Sequence, residues 1–258
     1  MRVEDENQYH PIMSKFKIEP IETAKSKIPL KACMKQGVLP KFPFSMMISG
    51  RSGSGKTNLL VNLLTRKEFL KHYFQYVLIY SPTAGEYDDS YKSLNLPPEN
   101  FKNDFSEQDL EDLIEARKKL IKQKGIEYVA KNCRVLIILD DVIANRDFLN
   151  SPQALKMFAL LRHYLVSVIV LMQTYNKLPK ALRNNANAIM IFPSNRSEVE
   201  VLIDELTPPN LTKKQFQKVI EYCTSERYNF LYINNHAEPG KRLRKNLDEV
   251  INLDEYKK

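Results

Sequence analysis

The sequence predicts an α/β fold, a mostly parallel β-sheet held between two layers of helices. From Phe44 onward, short apolar runs alternate with longer amphipathic segments, the pattern left by parallel strands joined through crossover helices. The apolar runs are continuous, as strands buried on both faces must be. A glycine-rich segment, Gly50 to Gly55, separates the first strand pattern from the first helix pattern.

Taken in order, residues 1–42 alternate charged with single apolar residues and contain Pro11, Pro20, Pro29 and Pro40, which exclude a long regular helix. They are expected to form an extended arm. Strands are expected at Phe44–Ser49, Tyr76–Ser81, Arg134–Leu139, Val166–Met172, Ala188–Phe192 and Asn229–Asn234. Helices are expected at Lys56–Leu70, Ser106–Lys124, Pro152–His163, Glu198–Leu206 and Thr212–Tyr222, with Ser197 and Thr212 as start signals for the last two. The polar stretch Gly85–Asp104, with Pro97 and Pro98, reads as a surface loop. The boundaries that follow are an arm over 1–42, one domain over 43–235, and a tail of mixed charge over 236–258.

The bulk properties narrow the class. A chain of 258 residues, 43% hydrophobic and 27% charged, has the composition of a soluble globular protein. Its longest apolar runs, Val166–Met172 and Val135–Leu139, fall well short of the roughly 20 residues a membrane-crossing helix needs, so no membrane partner is expected. Arg2, Glu4, Asp5 and Glu6 stand where a secretory signal would be apolar, and an intracellular setting is expected. Cys33, Cys133 and Cys223 are far apart, which fits reduced structural thiols rather than a zinc site or a disulfide framework. The net charge of +8 is compatible with a polyanionic partner. The basic clusters Lys25 to Lys41, Arg117 to Lys124 and Lys241 to Lys245, taken singly, read as solvated faces.

Gly50-Arg51-Ser52-Gly53-Ser54-Gly55-Lys56-Thr57 fits the Walker A pattern in full, with a strand leading in and a helix leading out. Glycines at 50, 53 and 55 let the backbone turn its amides inward as an anion nest at a helix N-terminus. Lys56 is expected at the β- and γ-phosphates of ATP, and the Thr57 hydroxyl on Mg²⁺. Val135 to Leu139 followed by Asp140 and Asp141 is a Walker B pattern. Asp140 is expected to hold Mg²⁺, and Asp141 to orient the attacking water or take its proton. One strand lies between the two motifs in sequence, and another, Val166–Met172, follows and ends at Gln173. That order predicts the additional-strand, ATPase-branch topology of P-loop proteins, a mostly parallel three-layer sandwich with Gln173 as sensor of the γ-phosphate.

These features, with the Leu139-Asp140-Asp141 ending, Arg162-His163-Tyr164 before the next strand, and Gln173 followed by Leu178-Pro179 and Arg183-Asn184, resemble the genome-packaging ATPases of large DNA viruses and virophages, in the FtsK/HerA-type branch of P-loop motors. The resemblance spans Lys41 to Phe192. It implies an ATP-hydrolysing motor that moves double-stranded DNA into a viral capsid as a homo-oligomeric ring, pentameric or hexameric, through backbone contacts. It also implies an arginine acting on a neighbouring subunit's γ-phosphate, with Arg162 and Arg183 at the matching positions. The second acidic residue in this branch is often Glu, and this chain departs from that with Asp141. Two other readings stand beside it. A nucleotide kinase needs an arginine-rich lid, and the double Asp after an intervening strand disfavours it. An ATP-dependent switch is disfavoured by the intact set of Asp140, Asp141 and Gln173.

Overall fold

In the computed structural model, residues 28–82, 89–141, 151, 152 and 159–256 are described. Six strands run parallel: β1 (Ser45–Ser49), β2 (Tyr76–Tyr80), β3 (Phe101–Lys102), β4 (Val135–Asp140), β5 (Val166–Met172) and β6 (Ala188–Ile191). β7 (Leu231–Asn234), β8 (Leu243–Lys245) and β9 (Glu249–Val250) continue the sheet antiparallel. The order is β3-β2-β4-β5-β1-β6-β7-β8-β9. β5 therefore separates the strand before the glycine loop from the strand ending in the paired aspartates, as the ATPase-branch topology requires.

Alternation along the strands assigns the two faces. Met47, Ile137, Leu139, Val168 and Val170 meet α3 (Glu107–Lys124), α6 (Arg196–Leu206) and α7 (Lys213–Cys223) through Leu110, Leu202 and Phe216. Met46, Ile48, Leu136, Ile138 and Ile169 meet α1 (Ala32–Lys35), α2 (Lys56–Thr65) and α4 (Ile126–Asn132) through Met34, Leu60, Leu63 and Val129. Each such side chain, removed from water, stabilises the fold by about 1.5–3 kcal/mol. The short helix α5 (Lys180–Arg183) follows β5.

Several elements differ from the sequence expectation. α2 stops at Thr65 instead of Leu70, because Arg66 turns extended and Leu70 folds back to bond Leu63 and enter the core. The start of α6 is capped by Asn195, not Ser197: the Asn195 side chain accepts from the Glu198 amide. Thr212 caps α7 as expected, in a reciprocal box with Gln215. The stretch expected as a loop up to Asp104 holds 3₁₀ turns at Asp89–Leu94 and Pro98–Asn100 and the edge strand β3, with Tyr91 in the core. Of the helix expected over Pro152–His163, residues 153–158 lie outside those described, and Leu161–Tyr164 is a 3₁₀ turn.

The two terminal regions also depart from an arm and a tail. Residues 1–27 lie outside those described, but Cys33, Met34, Leu39 and Phe42 are buried against the sheet. Within 236–258, β8 and β9 extend the sheet, and Leu243, Arg244 and Ile251 are buried. Four charged residues in the five of Lys241–Lys245 hide a three-residue strand from any apolar pattern. The three cysteines are free, with Cys33 and Cys223 buried and Cys133 half-buried, and burial pushes the Cys223 thiol up to about 12. Among the described residues no helix is long and apolar enough to cross a membrane.

Arg117, expected on a solvated basic face, is 4% exposed. Its guanidinium donates to the carbonyls of Tyr164 at 3.0 Å, Cys133 at 2.9 Å and Leu165 at 3.4 Å, tying α3 to the entries of β4 and β5. Truncation strands three carbonyls, two of them partly buried and one fully. Arg117→Ala is expected to lower stability by about 3 kcal/mol, read as a fall in urea midpoint with an unchanged slope; an unchanged midpoint would refute the role.

Candidate functional site

β1 delivers the chain to Gly50 at the carboxyl edge of the sheet, where the Gly50 amide donates to Met172 O at 3.1 Å. A Cβ on Gly50 would stand 2.6 Å from Cβ of Phe192 and 2.7 Å from Oγ of Ser54, so no larger residue fits there. Gly53 at φ 73° and Gly55 at φ 100° take left-handed conformations that L side chains rarely adopt. Gly55 is the cap of α2 and offers no side-chain acceptor. The first amides of the helix thus face the loop without a capping group, an anion site by construction. Ser54 Oγ is buried in this loop without a hydrogen-bond partner, a polar group that a phosphate oxygen would satisfy.

Lys56 lies across the loop, its Nζ donating to Gly50 O at 2.7 Å and Arg51 O at 3.1 Å. Desolvation lowers its pKa, and the charges of Asp141 and Asp140 oppose that shift. Both aspartates therefore act on the ammonium, which is the juxtaposition the two motifs predict. Thr57 follows, half-buried in the first turn of α2. Arg51 and Ser52 stand exposed on the outer side of the loop.

Asp140, 9% exposed, ends β4 and accepts a hydrogen bond of 2.5 Å from the hydroxyl of Tyr91. Tyr91 is buried, and no sequence pattern marked it, because a single aromatic in a 3₁₀ turn has no periodicity to betray which way it faces. Asp141 is exposed and turns to φ 55°, its amide reaching Leu171 O at 3.4 Å. Aspartate tolerates left-handed backbone better than most residues because its short carboxylate bonds locally. That conformation gives a reason for Asp rather than the longer Glu at this position. Gln173 Nε2 donates to Asp141 Oδ2 at 2.6 Å, so the expected sensor and the expected catalytic carboxylate touch.

A second buried carboxylate, Glu198, went unread in the sequence. It is 2% exposed and accepts from the Tyr175 amide and, at 3.4 Å, from the Ser49 hydroxyl. It therefore ties the strand before the phosphate loop to the segment just after Gln173. In sequence it looked like the first charged residue of a helix.

The arginines separate. Arg162 is half-buried in the turn before β5, at the edge of the sheet opposite the phosphate loop and roughly 20 Å from it along the strand. Its positive charge, like that of Lys41, acts on His236, whose pKa is lowered chiefly by burial. His163 beside it is exposed. Arg183 is committed within its own chain. Its Nε donates to Glu205 Oε2 at 2.9 Å and Nη2 to Oε1 at 2.5 Å, while Nη1 donates to Leu178 O and the group stacks on Tyr175. At 8% exposed, it braces the loop after β5.

Among the described residues, no three His, Cys, Asp or Glu side chains lie close enough to hold a metal by themselves. Mg²⁺ at a phosphate site needs less: one or two protein oxygens, with phosphates and water completing its octahedron. Thr57 and Asp140 match that donor set.

Comparison with known proteins follows the same lines. The chain is 29% identical over 194 residues to the DNA packaging protein OPG160 of vaccinia virus (strain Copenhagen), covering 74% of this chain and 68% of that protein. It is 29% identical over 202 residues to the protein of the same name from variola virus, covering 77% of this chain and 70% of that one. The fold is similar to the genome packaging NTPase B204 of Sulfolobus turreted icosahedral virus 2, solved in complex with ATP-gammaS, with a TM-score of 0.51 and 16% identity over 78% of this chain and 96% of that one. Residues 32–249, which run from α1 into β9, match the Poxvirus A32 protein family, and the chain belongs to that family.

Proposed function

We propose that this protein is an ATP-hydrolysing motor that drives double-stranded DNA into a viral capsid. The observation that carries the hydrolytic part is the 2.6 Å bond from Gln173 to Asp141 at the mouth of a complete phosphate loop. The DNA and capsid part is supported by the kinship with proteins named for DNA packaging. A host-cell assembly site or the virion is the setting this reading requires.

In this reading the amides of Gly50 to Thr57 hold the β- and γ-phosphates, and Lys56 leaves Gly50 O and Arg51 O to neutralise them. Mg²⁺, when bound at Thr57 and Asp140, supplies charge neutralisation of the phosphates. Tyr91 fixes the Asp140 carboxylate through its hydroxyl. Asp141 receives the proton of the water whose oxygen bonds to the γ-phosphorus as the bond to the β,γ-bridging oxygen breaks. Gln173 holds Asp141 in place and, being next to the γ-phosphate, links its state to the segment braced by Glu198. A pentameric or hexameric ring of this kind supplies a trans arginine, for which Arg162 and Arg183 are the two candidates, Arg183 being paired with Glu205 within its own chain. DNA is gripped through its phosphates, without reading sequence.

Asp141→Asn is expected to lower kcat about 10²- to 10⁴-fold while leaving Mg·ATP affinity near wild type; Lys56→Ala is expected to weaken that affinity itself by about tenfold or more. Duplex DNA is expected to raise wild-type turnover, and turnover indifferent to DNA would remove the motor reading while leaving the ATPase. For the trans arginine, Arg162→Ala is expected to lower kcat about 10³-fold, and mixing it with Asp141→Asn protein is expected to restore part of the activity. No recovery on mixing, in a ring of verified size, would exclude Arg162 from that role.

A further inference from the structure

A nucleoside triphosphate held by its phosphates at Gly50 to Thr57 has a base and ribose that must lie somewhere beyond the first turn of α2. There a cavity of about 470 Å³ opens between that turn, at Gly55 and Asn58, and two segments from the antiparallel end of the sheet, Tyr228–Phe230 and Asn246–Asp248. The volume falls in the range of small-ligand sites.

Tyr228 is the unusual residue at this cavity. It is 52% exposed although large and aromatic, and its backbone sits at φ 69°, a conformation rarely adopted by such residues. The turn carries its ring to the phosphate loop: a Cβ added to Gly55 would meet Tyr228 Cδ1 at 3.3 Å. The Arg227 guanidinium lies 4.7 Å from the ring centroid, so a cation is matched to the ring, and the residue as a whole keeps about half of its surface exposed at the cavity. Behind the ring, Phe192 and Phe230 pack with centroids 5.0 Å apart and make an apolar wall.

The polar rim of the cavity is partly committed and partly available. Asn246 is spent on structure, accepting from the Phe230 amide and donating to Asn229, both at 3.1 Å. Asp248 is exposed, and its carboxylate has no bonding partner among the described residues. Among the described residues it is the one acidic group lining the cavity. A carboxylate there accepts from an exocyclic amine, whereas a base with a carbonyl in its place turns an acceptor oxygen toward the carboxylate at that position.

We propose that this cavity is the nucleoside subsite: Tyr228 stacks on the base, and Asp248 selects a base bearing an exocyclic amine, as adenine does. The proposal rests on the reading of Gly50 to Thr57 as a triphosphate site and names what the rest of the nucleotide touches. It also gives the antiparallel strands a use, because the Tyr228 turn precedes β7 and the Asn246–Asp248 turn joins β8 to β9.

The test is calorimetric titration of the full chain with Mg·ATP, Mg·ITP and inorganic tripolyphosphate, for wild type, Tyr228→Ala, Tyr228→Phe, Asp248→Ala and Lys56→Ala. Tyr228→Ala is expected to weaken ATP about tenfold, to leave tripolyphosphate unchanged, and to be rescued by Tyr228→Phe. Asp248→Ala is expected to abolish the preference for ATP over ITP and leave tripolyphosphate alone. Equal losses for ATP and tripolyphosphate in Tyr228→Ala, or no loss for either while Lys56→Ala weakens both, would overturn the subsite and leave the phosphate site standing. Wild-type protein that binds neither ATP nor tripolyphosphate would overturn the underlying phosphate site as well.

Discussion

The pairing of three neighbouring strands, β1, β5 and β4, is the constraint on which the site depends. Ser49 lies opposite Met172, and Asp140 opposite Leu171, so three strands end at one level. The hydrogen bonds continue one residue past each strand end, from the Gly50 amide to Met172 and from the Asp141 amide to Leu171. Phosphate loop, paired carboxylates and Gln173 thereby emerge side by side. Because a one-residue slip would exchange the two faces of a strand, the apolar residues packed on both sides hold this register. The burial of Ile137, Ile138, Val168 and Ile169 is what keeps Asp140 within electrostatic reach of Lys56.

Around that frame, buried polar groups adjust the site. Tyr91 reaches Asp140 from the 3₁₀ turn on one face, and Glu198 reaches Ser49 and Tyr175 from a helix on the other. Leaving such groups unpaired inside the protein costs more than the net gain of pairing them. Each therefore fixes a position more than it adds stability. Asp141 is the contrasting case: exposed, left-handed and held by Gln173, it belongs to the solvent-facing side of the site.

Basic charge, part of it read in the sequence as solvated clusters, is put to two uses. Arg117, Arg134, Arg183 and Arg244 are buried and donate to loop carbonyls, the fork of the guanidinium satisfying several acceptors at once. They splice loops to the sheet, so their number says little about a surface for polyanions. The lysines that remain outside, such as Lys67, Lys118 and Lys122, are the ones whose charge reaches solvent.

The sequence by itself determined the six central strands, the phosphate loop, the paired aspartates and Gln173, because each is written in contiguous residues whose local chemistry suffices. Glycine spacing sets a loop, an apolar run sets a buried strand, and a polar residue at a strand's end lands at the sheet's edge. Thr212 was legible as a cap for the same reason. Only the tertiary structure decided the rest. Tyr91, Glu198 and Tyr228 owe their places to partners 49, 149 and more than a hundred residues away, and none of them repeats in a pattern. β8 exists because β7 offers an edge for its backbone to bond, and β9 because β8 offers the next, a force that does not depend on the apolar side chains a strand pattern is read from. Arg183 reads in sequence as an arginine at a helix end; the nearness of Glu205, set by the packing of α6 behind the loop, gave it its partner.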